Sequence, residues 1–429
     1  MIKIKEHKFP QHNLETEEYL APKKLIIPLC QNIGKASQPV AGKGDEVKEG
    51  VVIAEPGGFV SSRLHAPCSG KITIVDKGPH PVRKRDDCVY LTANQSEPRK
   101  YEPRENISAL SKEQLLDIVK NAGIVGMGGA CFPTHVKLNP PRKIDTLLIN
   151  GCECEPYLSC DNRLMIEKAK DIFRGVELIC RMIEPEQVIF CVEENKPEAI
   201  KKFNRYISTR KFDLPSARLA VLRSFYPQGG EKQLIYQALH RKVPCGKIPF
   251  EVGCMVQNVA TCFAVYEAVY FSKPLIERTV TFAGDCLKNP KNLRLKIGTT
   301  VKELIEEKIL ELAREPKKVI FGGPMMGITV DSLEYPIMKG SSGVLFLSEK
   351  AAPEIKEDQC IRCGRCVDAC PMNLLPLEYV KRVKEERFSS LDEVFIKDCI
   401  ECGSCSFSCP AGIPIVHYIK RGKAYASGC

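Results

Sequence analysis

The sequence predicts a multidomain α/β protein. Three observations carry that prediction: helix and strand patterns alternate through the middle of the chain, short turn-separated strands precede them, and a cysteine-rich helical segment follows. The chain has 429 residues, which at about 100–200 residues per domain calls for several cores. Charged residues make up 27% and hydrophobic residues 44%, an ordinary globular balance, and no run approaches the roughly 18 apolar residues of a transmembrane helix. The opening MIKIKEHKFPQHN has lysines but no apolar stretch after them, so it does not read as a secretory signal and a cytoplasmic address is expected.

Residues 1–24 read as an N-terminal extension and residues 25–100 as a small β module. Its strands are separated by turn signals at Gly42, Gly44-Asp45, Gly50, Pro56-Gly57-Gly58 and Ser69-Gly70. Within it, GKGDEVKEGVVIA followed by VSSRLHAPCSGKITIV resembles the lipoyl and biotinyl type of barrel sandwich, in which two similar halves follow one another. Such carriers present a modifiable lysine between the halves. From Val51 to Gly70 the only basic residues are Arg63 and His65, so the module is expected to be structural.

Residues 111–275 read as an α/β domain. KEQLLDIVKN at 112–121 is an amphipathic helix by its 3.6-residue period, and a strand at 145–149, a helix at 163–182, a strand at 187–192, a helix at 196–206, a strand at 218–222 and a helix at 231–240 follow. That alternation predicts a mainly parallel sheet that binds ligands at the carboxyl ends of its strands. Residues 276–346 read as a smaller α+β unit, with strand VTFAGD, helix VKELIEEKILELA and strand KKVIFGG, and no catalytic constellation.

The chain has 22 cysteines. In a long chain without an export signal they favour thiolate ligands over disulfides. Residues 352–425 hold two copies of one spacing, Cys360-x2-Cys363-x2-Cys366-x3-Cys370-Pro371 and Cys399-x2-Cys402-x2-Cys405-x3-Cys409-Pro410. Three thiolates at that spacing wrap three corners of a [4Fe–4S] cubane, and the fourth reaches the other cluster. Cluster one is then Cys360, Cys363, Cys366 and Cys409, and cluster two is Cys399, Cys402, Cys405 and Cys370. The alternative is zinc, but a zinc site takes four ligands and has no use for such an octet. The stretch LPLEYVKRVKEE between the motifs is helical, so the segment resembles the α-helical ferredoxin type. Cys429 lies outside both motifs and is expected to be a free thiol. The formal charge of +10 counts these thiols as neutral; with each cluster at roughly −2 or −3, about half of the excess disappears and nucleic acid is not expected as a partner. Arg83, Lys84 and Arg85 form the one short basic run, read as a solvated loop, with docking to an acidic partner or a lipid surface as the alternative.

Two further stretches suggest a nucleotide site. Gly123, Gly126, Gly128 and Gly129 fall within seven residues and precede Phe132 and Lys137. Such a loop lets backbone N–H groups approach a phosphate or a flat ring, and Lys137 could neutralise a phosphate. The strand at 145–149 ends in Asn150, Glu153 and Glu155, where an α/β sheet holds its ligand.

Together, GMGGACFPTHVK and NGCECEP resemble the FMN- and NADH-binding subunit of respiratory complex I. The likeness to the C subunit of the Rnf complex, an assembly linking ferredoxin and NAD, is stronger. It extends through YPQGGEKQL at 226–234, VQNVAT at 256–261 and the paired cysteine motifs. The resemblance implies a Rossmann-like FMN and NADH domain, a β-grasp-like (SLBB) domain after it and an α-helical ferredoxin domain with two [4Fe–4S] clusters. It implies that Gly126, Gly128 and Lys137 contact the FMN phosphate and ribityl chain. Asn150, Glu153, Glu231 and Asn258 would contact the flavin, Phe132 would stack on NADH and Glu155 would bond near its amide. Met127 and Cys152 replace an arginine and an aspartate of the complex I pattern, so those contacts do not transfer; Cys131 and Cys154 read as packed small residues.

The expected function is electron transfer between NAD(H), FMN and the clusters, with other Rnf-type subunits as partners, on the cytoplasmic face of a membrane the chain does not span. Hydride transfer is the flavin's own chemistry, so no general acid or base is sought. A second reading is a soluble subunit feeding another reductase, such as a methylenetetrahydrofolate or proline reductase; a third is a cluster wire that binds no nucleotide.

Overall fold

The computed structural model describes residues 1–94 and 97–426; Cys429 lies outside the described residues. The β module opens with a four-stranded antiparallel sheet, in the order Lys24–Pro28, Lys84–Ala93, Gly70–His80 and Glu46–Val47. A second sheet of Gln38–Pro39, Val52–Glu55 and Leu64–His65 faces it. Leu25, Ile27, Ile53, Leu64, Ile72 and Leu91 fill the space between them. The basic run sits where the long hairpin turns: Lys84 takes a φ of 64°, and Arg83 approaches Asp86 at 3.4 Å. Arg63 pairs with Glu55 at 2.7 Å and His65 is buried.

The middle domain is built on a wholly parallel sheet in the order Ser216–Leu222, Gln187–Glu193, Thr146–Gly151 and Cys254–Asn258. The last strand does not show in the sequence as a period. Its apolar run, Cys254–Val256, is only three residues long, and Gln257 and Asn258 separate it from the Val259–Phe271 helix, which is buried along most of its length. That helix and Ala169–Ile183 pack together on one face of the sheet. Phe173 stacks on Phe190 at 4.4 Å, with Phe203 edge-on to both. The helix expected over 163–182 is two helices, Cys160–Glu167 and Ala169–Ile183, broken at Lys168. The first of them starts where the Glu153 carboxylate receives the Asp161 and Asn162 N–H groups, so its position is set by the site loop.

A six-stranded mixed sheet follows, in the order Glu17–Tyr19, Lys291–Lys296, Glu277–Ala283, Gly343–Leu347, Lys318–Phe321 and Ile328–Val330. Its first edge strand comes from the N-terminal extension and runs parallel to Lys291–Lys296. The helix expected over 301–313 stops at Glu306. Lys308 turns left-handed at a φ of 56°, and the Ile309 and Leu310 N–H groups both return to the Leu304 carbonyl, which buries Leu310 in the core.

Buried charges bind the units together. Lys296 Nζ reaches Glu49 of the β module at 2.9 Å and Glu277 at 2.8 Å. Burial alone would raise the Glu277 carboxyl, but Arg294, Lys273 and Lys296 outweigh it and bring its pKa down to about 2. Lys339 is fully buried and donates to the Arg63 and Gly123 carbonyls, both at 2.7 Å, so one ammonium joins three domains.

The cysteine-rich segment folds around short helices Arg365–Asp368, Pro376–Lys384, Ser404–Phe407 and Ile415–Ala426. Its core is Tyr379, Val380, Val383, Leu391, Ile396 and Ile419. Among the described residues, no helix is long and apolar enough to cross a membrane.

Candidate redox site

The glycine-rich loop closes on itself through Gly126 N–H to the Phe132 carbonyl at 2.8 Å and delivers a short helix at Thr134–Lys137. A Cβ at Gly128 would lie 3.2 Å from the Asn258 side chain, so a larger residue there would push the two loops apart. One at Gly129 meets nothing within 4 Å, which leaves that surface as bare backbone. Phe132 is half-buried behind it.

Asn150 and Asn258 stand side by side at the carboxyl ends of two neighbouring parallel strands. Asn150 Nδ2 donates to the Gly229 carbonyl and its Oδ1 accepts the Cys152 N–H, both at 2.9 Å. Asn258 caps the Val259–Phe271 helix through the Ala260 N–H at 2.8 Å and donates to Asp161 at 2.7 Å. Lys137 Nζ meets Glu231 at 2.8 Å. The fold thus brings Gly126, Gly128, Lys137, Asn150, Glu231 and Asn258 from four separate stretches of chain to one edge of the sheet. Gln228, next to the Gly229 that Asn150 holds, is buried and its Nε2 has no hydrogen-bond partner. The orphaned Gln228 donor, the bare Gly129 backbone and Lys137 suit a polar, phosphate-bearing ligand such as a flavin nucleotide.

The two carboxylates of NGCECEP face away from one another. Glu153 is buried at the start of the Cys160–Glu167 helix, 2.9 Å from the Asp161 N–H. Burial and the Glu153 charge raise the Asp161 pKa to about 6, against the pull of Arg278 and Asn258. Glu155 accepts the Met325 and Met326 N–H groups at 3.1 and 2.9 Å. Burial pushes its pKa up to about 7 in spite of those bonds and of Lys8 nearby. The two departures from the complex I pattern also find places. Met127 is buried with its sulfur 3.3 Å from Arg278, whose guanidinium holds the Met127 carbonyl at 3.0 Å. Cys152 turns its sulfur to the Cys191 carbonyl inside the sheet. Burial raises both the Cys131 and Cys154 thiols, which suits packing rather than reaction.

Tyr226 leads from this site to the cysteines. It is buried, lies close enough to Glu155 and Cys154 to sense their charge, and donates its hydroxyl to the Cys402 carbonyl at 2.7 Å. Cys370, Cys399, Cys402 and Cys405 line one cavity with Leu374 and Tyr379. Cys366 is close enough to feel Cys360 and Cys409. Cys370 of the first motif thus shares a cavity with the second motif's triplet, and Cys409 of the second lies near Cys366 of the first. Among the described residues, the only three ligand atoms within 4.8 Å of one another belong to Cys30, His80 and Asp86. The Cys30 group does not fit an ion: His80 Nδ1 accepts the Val82 and Arg83 N–H groups and Nε2 faces the Cys30 carbonyl at 2.8 Å, so both ring nitrogens are in use.

Sequence reasoning singled out the glycines and carboxylates but not Gln228, Tyr226, Asp161, Arg278 or Lys8. Tyr226 and Gln228 lie inside the YPQGGEKQL match, which was the available signal; nothing in the sequence marks the other three.

Family models match in three places: the Nuo51 FMN-binding domain at residues 119–267, the RnfC barrel sandwich hybrid domain at 2–96 and a 4Fe-4S dicluster domain at 359–413. The C subunit of the proton-translocating ferredoxin:NAD(+) oxidoreductase complex of Clostridium ljungdahlii is 42% identical over 359 residues, 83% of this chain and 77% of that protein. The C subunit of the Na(+)-translocating ferredoxin:NAD(+) oxidoreductase complex of Acetobacterium woodii is 38% identical over 84% of this chain and 82% of its own length. The C subunit of the ion-translocating oxidoreductase complex of Rhodobacter capsulatus is 38% identical over 88% and 73%. Among solved structures, an NAD+-reducing [NiFe]-hydrogenase in the H2-reduced state superposes with a TM-score of 0.51 at 16% identity, over 75% of this chain and 63% of that one, a likeness of fold.

Proposed function

The chain belongs to the family of C subunits of ion-translocating ferredoxin:NAD+ oxidoreductase complexes, and from that premise we propose that it carries electrons between NAD(H) and the other subunits of such a complex. It is an oxidoreductase subunit that holds FMN and two [4Fe–4S] clusters and uses NAD(H) as substrate. FMN held there would supply hydride exchange with the nicotinamide and single-electron exchange with the clusters. The protein's task is to hold these groups in reach of one another.

Gly126, Gly128 and Lys137 hold the FMN phosphate end, and Asn150, Glu153, Glu231 and Asn258 its polar edges. Phe132 covers the nucleotide and Glu155 faces its amide. The Glu153 carboxylate acts by fixing the Cys160–Glu167 helix, which aims Asp161 at Asn258. Residues 111–275 serve as a Rossmann-like nucleotide domain, 276–346 as a β-grasp-like domain and 352–425 as an α-helical ferredoxin domain. Residues 25–100 serve as a barrel sandwich without a carrier lysine, and residues 1–24 as a strap rather than a free extension. The subunit sits on the cytoplasmic face of the membrane.

The observation that carries the direction of the path is the Tyr226 hydroxyl on the Cys402 carbonyl, which sets the Cys370, Cys399, Cys402 and Cys405 cluster against the flavin site. The other quartet points outward: Cys360 and Cys363 are exposed beside the exposed Ile361. Electrons then pass between flavin, inner cluster, outer cluster and a partner subunit. The test is anaerobic purification with native neighbours, followed by NADH. Flavin bleaching and reduction of both clusters, with membrane subunits co-purifying, are expected. Co-purification with a soluble reductase instead would establish the second reading, and an absence of FMN the third.

A further inference from the structure

Residues 2–12 lie across the redox site. Ile2 pairs with Tyr226 in both directions, at 2.9 and 2.8 Å. The His7 N–H donates to the Pro156 carbonyl at 2.8 Å, and its ring stacks on Tyr157 with centroids 4.8 Å apart. Lys8 Nζ donates to the Glu153 carbonyl and, at 2.8 Å, to the Leu158 carbonyl. Gln11 Nε2 reaches the Tyr157 carbonyl at 3.1 Å. The segment therefore grips the loop 153–158 at both ends and in the middle, and the loop that carries Glu153 and Glu155 is held in large part by residues from outside its own domain.

Lys8 is the unusual member of this strap. It is 2% exposed and the acceptors of its ammonium are neutral carbonyls. Burying an ammonium costs several kcal/mol unless hydrogen bonds and nearby charges offset it. Here burial and Lys196 act against the charge while Glu153, Glu193 and Glu6 favour it. An apolar side chain could fill the same space without that cost but could not tie two carbonyls across a six-residue loop. The buried amine thus has a geometric use.

We propose that Lys8 is a positioning residue for the nucleotide site: by bridging the Glu153 and Leu158 carbonyls it fixes the loop that presents Glu155 and anchors Glu153. This rests on the FMN and NADH reading above. Binding of flavin and nucleotide then depends on a segment that lies more than a hundred residues from the loop in sequence.

The test compares Lys8→Met, Lys8→Arg, His7→Ala and Gln11→Ala with the unaltered protein. Amide hydrogen exchange of residues 153–158 is measured in the FMN-free protein, together with FMN affinity and the KM and kcat for NADH with ferricyanide as acceptor. Lys8→Met is expected to speed exchange in the loop and to weaken FMN binding or raise the NADH KM about tenfold, the equivalent of about 1.4 kcal/mol, with kcat little changed. Lys8→Arg should recover part of both effects. Should Lys8→Met fail to fold, His7→Ala and Gln11→Ala, which leave the buried charge in place, must still speed exchange in the loop. Unchanged exchange in every foldable variant, or unchanged FMN and NADH binding in Lys8→Met, overturns the proposal. Unaltered protein that neither retains FMN nor is reduced by NADH would instead overturn the reading beneath it.

Discussion

Gly364 and Gly403 hold the same place in the two cysteine motifs and take nearly the same left-handed backbone, with φ of 77° and 83°. Their surroundings differ. A Cβ at Gly364 meets nothing within 4 Å, whereas one at Gly403 would lie 2.6 Å from the Met325 carbonyl oxygen. The same contrast runs along both repeats. Arg362 and Glu401 each turn left-handed at 55° and point an N–H at the first sulfur of their motif, at 3.3 and 3.4 Å. Yet Cys363 and Arg365 are exposed where Cys402 and Ser404 are buried. Spacing and backbone give the two motifs the same local shape; their neighbours decide that the second is covered by Met325 while the first is open to solvent.

Replacing Cys402 by serine should have the largest effect. Bound iron is expected to fall from about eight to about four atoms per chain, and NADH should still bleach the flavin while transfer to any external acceptor protein drops at least about a hundredfold. Cys363→Ser should lose the outer cluster and delivery to the partner subunit. NADH should still reduce the inner cluster, which low-temperature paramagnetic resonance reads directly. An inner cluster that stays oxidised in Cys363→Ser would reverse the assigned order. A smaller effect separates the two glycines. Gly364→Ala should cost only the left-handed penalty of about 1–2 kcal/mol. Gly403→Ala adds a clash of about 1–3 kcal/mol, so it should lose its iron at a lower temperature on heating.

The smallest effect concerns Glu155, which holds the Met325 amide against the inner motif. Its folded pKa of about 7 lies above the ordinary glutamate value of 4.5. Between those two values the unfolded chain gives up the proton while the folded one keeps it. This group's contribution to stability is therefore complete below about 4.5, declines as pH rises towards 7, and is flat beyond. Urea unfolding across that range should show the decline, and Glu155→Gln should flatten it.

Much of this was legible. DTLLI and QVIFCV announced buried strands, the 3.6-residue period gave Lys112–Asn121 as a helix, and the cysteine spacing marked the segment that a 4Fe-4S dicluster model matches. What escaped detection did so for physical reasons. A three-residue edge strand at Glu17–Tyr19 is too short to show a period, and its sequence is charged because one side of an edge meets water. The helix over 301–313 kept its apolar spacing past Glu306 because Leu310 is buried by a fold-back that the period cannot distinguish from another turn. Lys8 looked like any other lysine in a polar extension, since burial of a charge is decided by partners far along the chain.

The strap also fixes an order of events in the making of the protein. Lys8 and Glu153 are 145 residues apart, so at a synthesis rate of about 5–20 residues per second the ribosome needs roughly 7–30 s to bring the second partner out after the first. The parallel pairing of Glu17 with Leu293 takes longer still. Until then the first residues have nothing to bind, and the flavin loop emerges before the small domain that must receive Met325 and Met326. The contacts that hold loop 153–158 can therefore form only after most of the chain has been made.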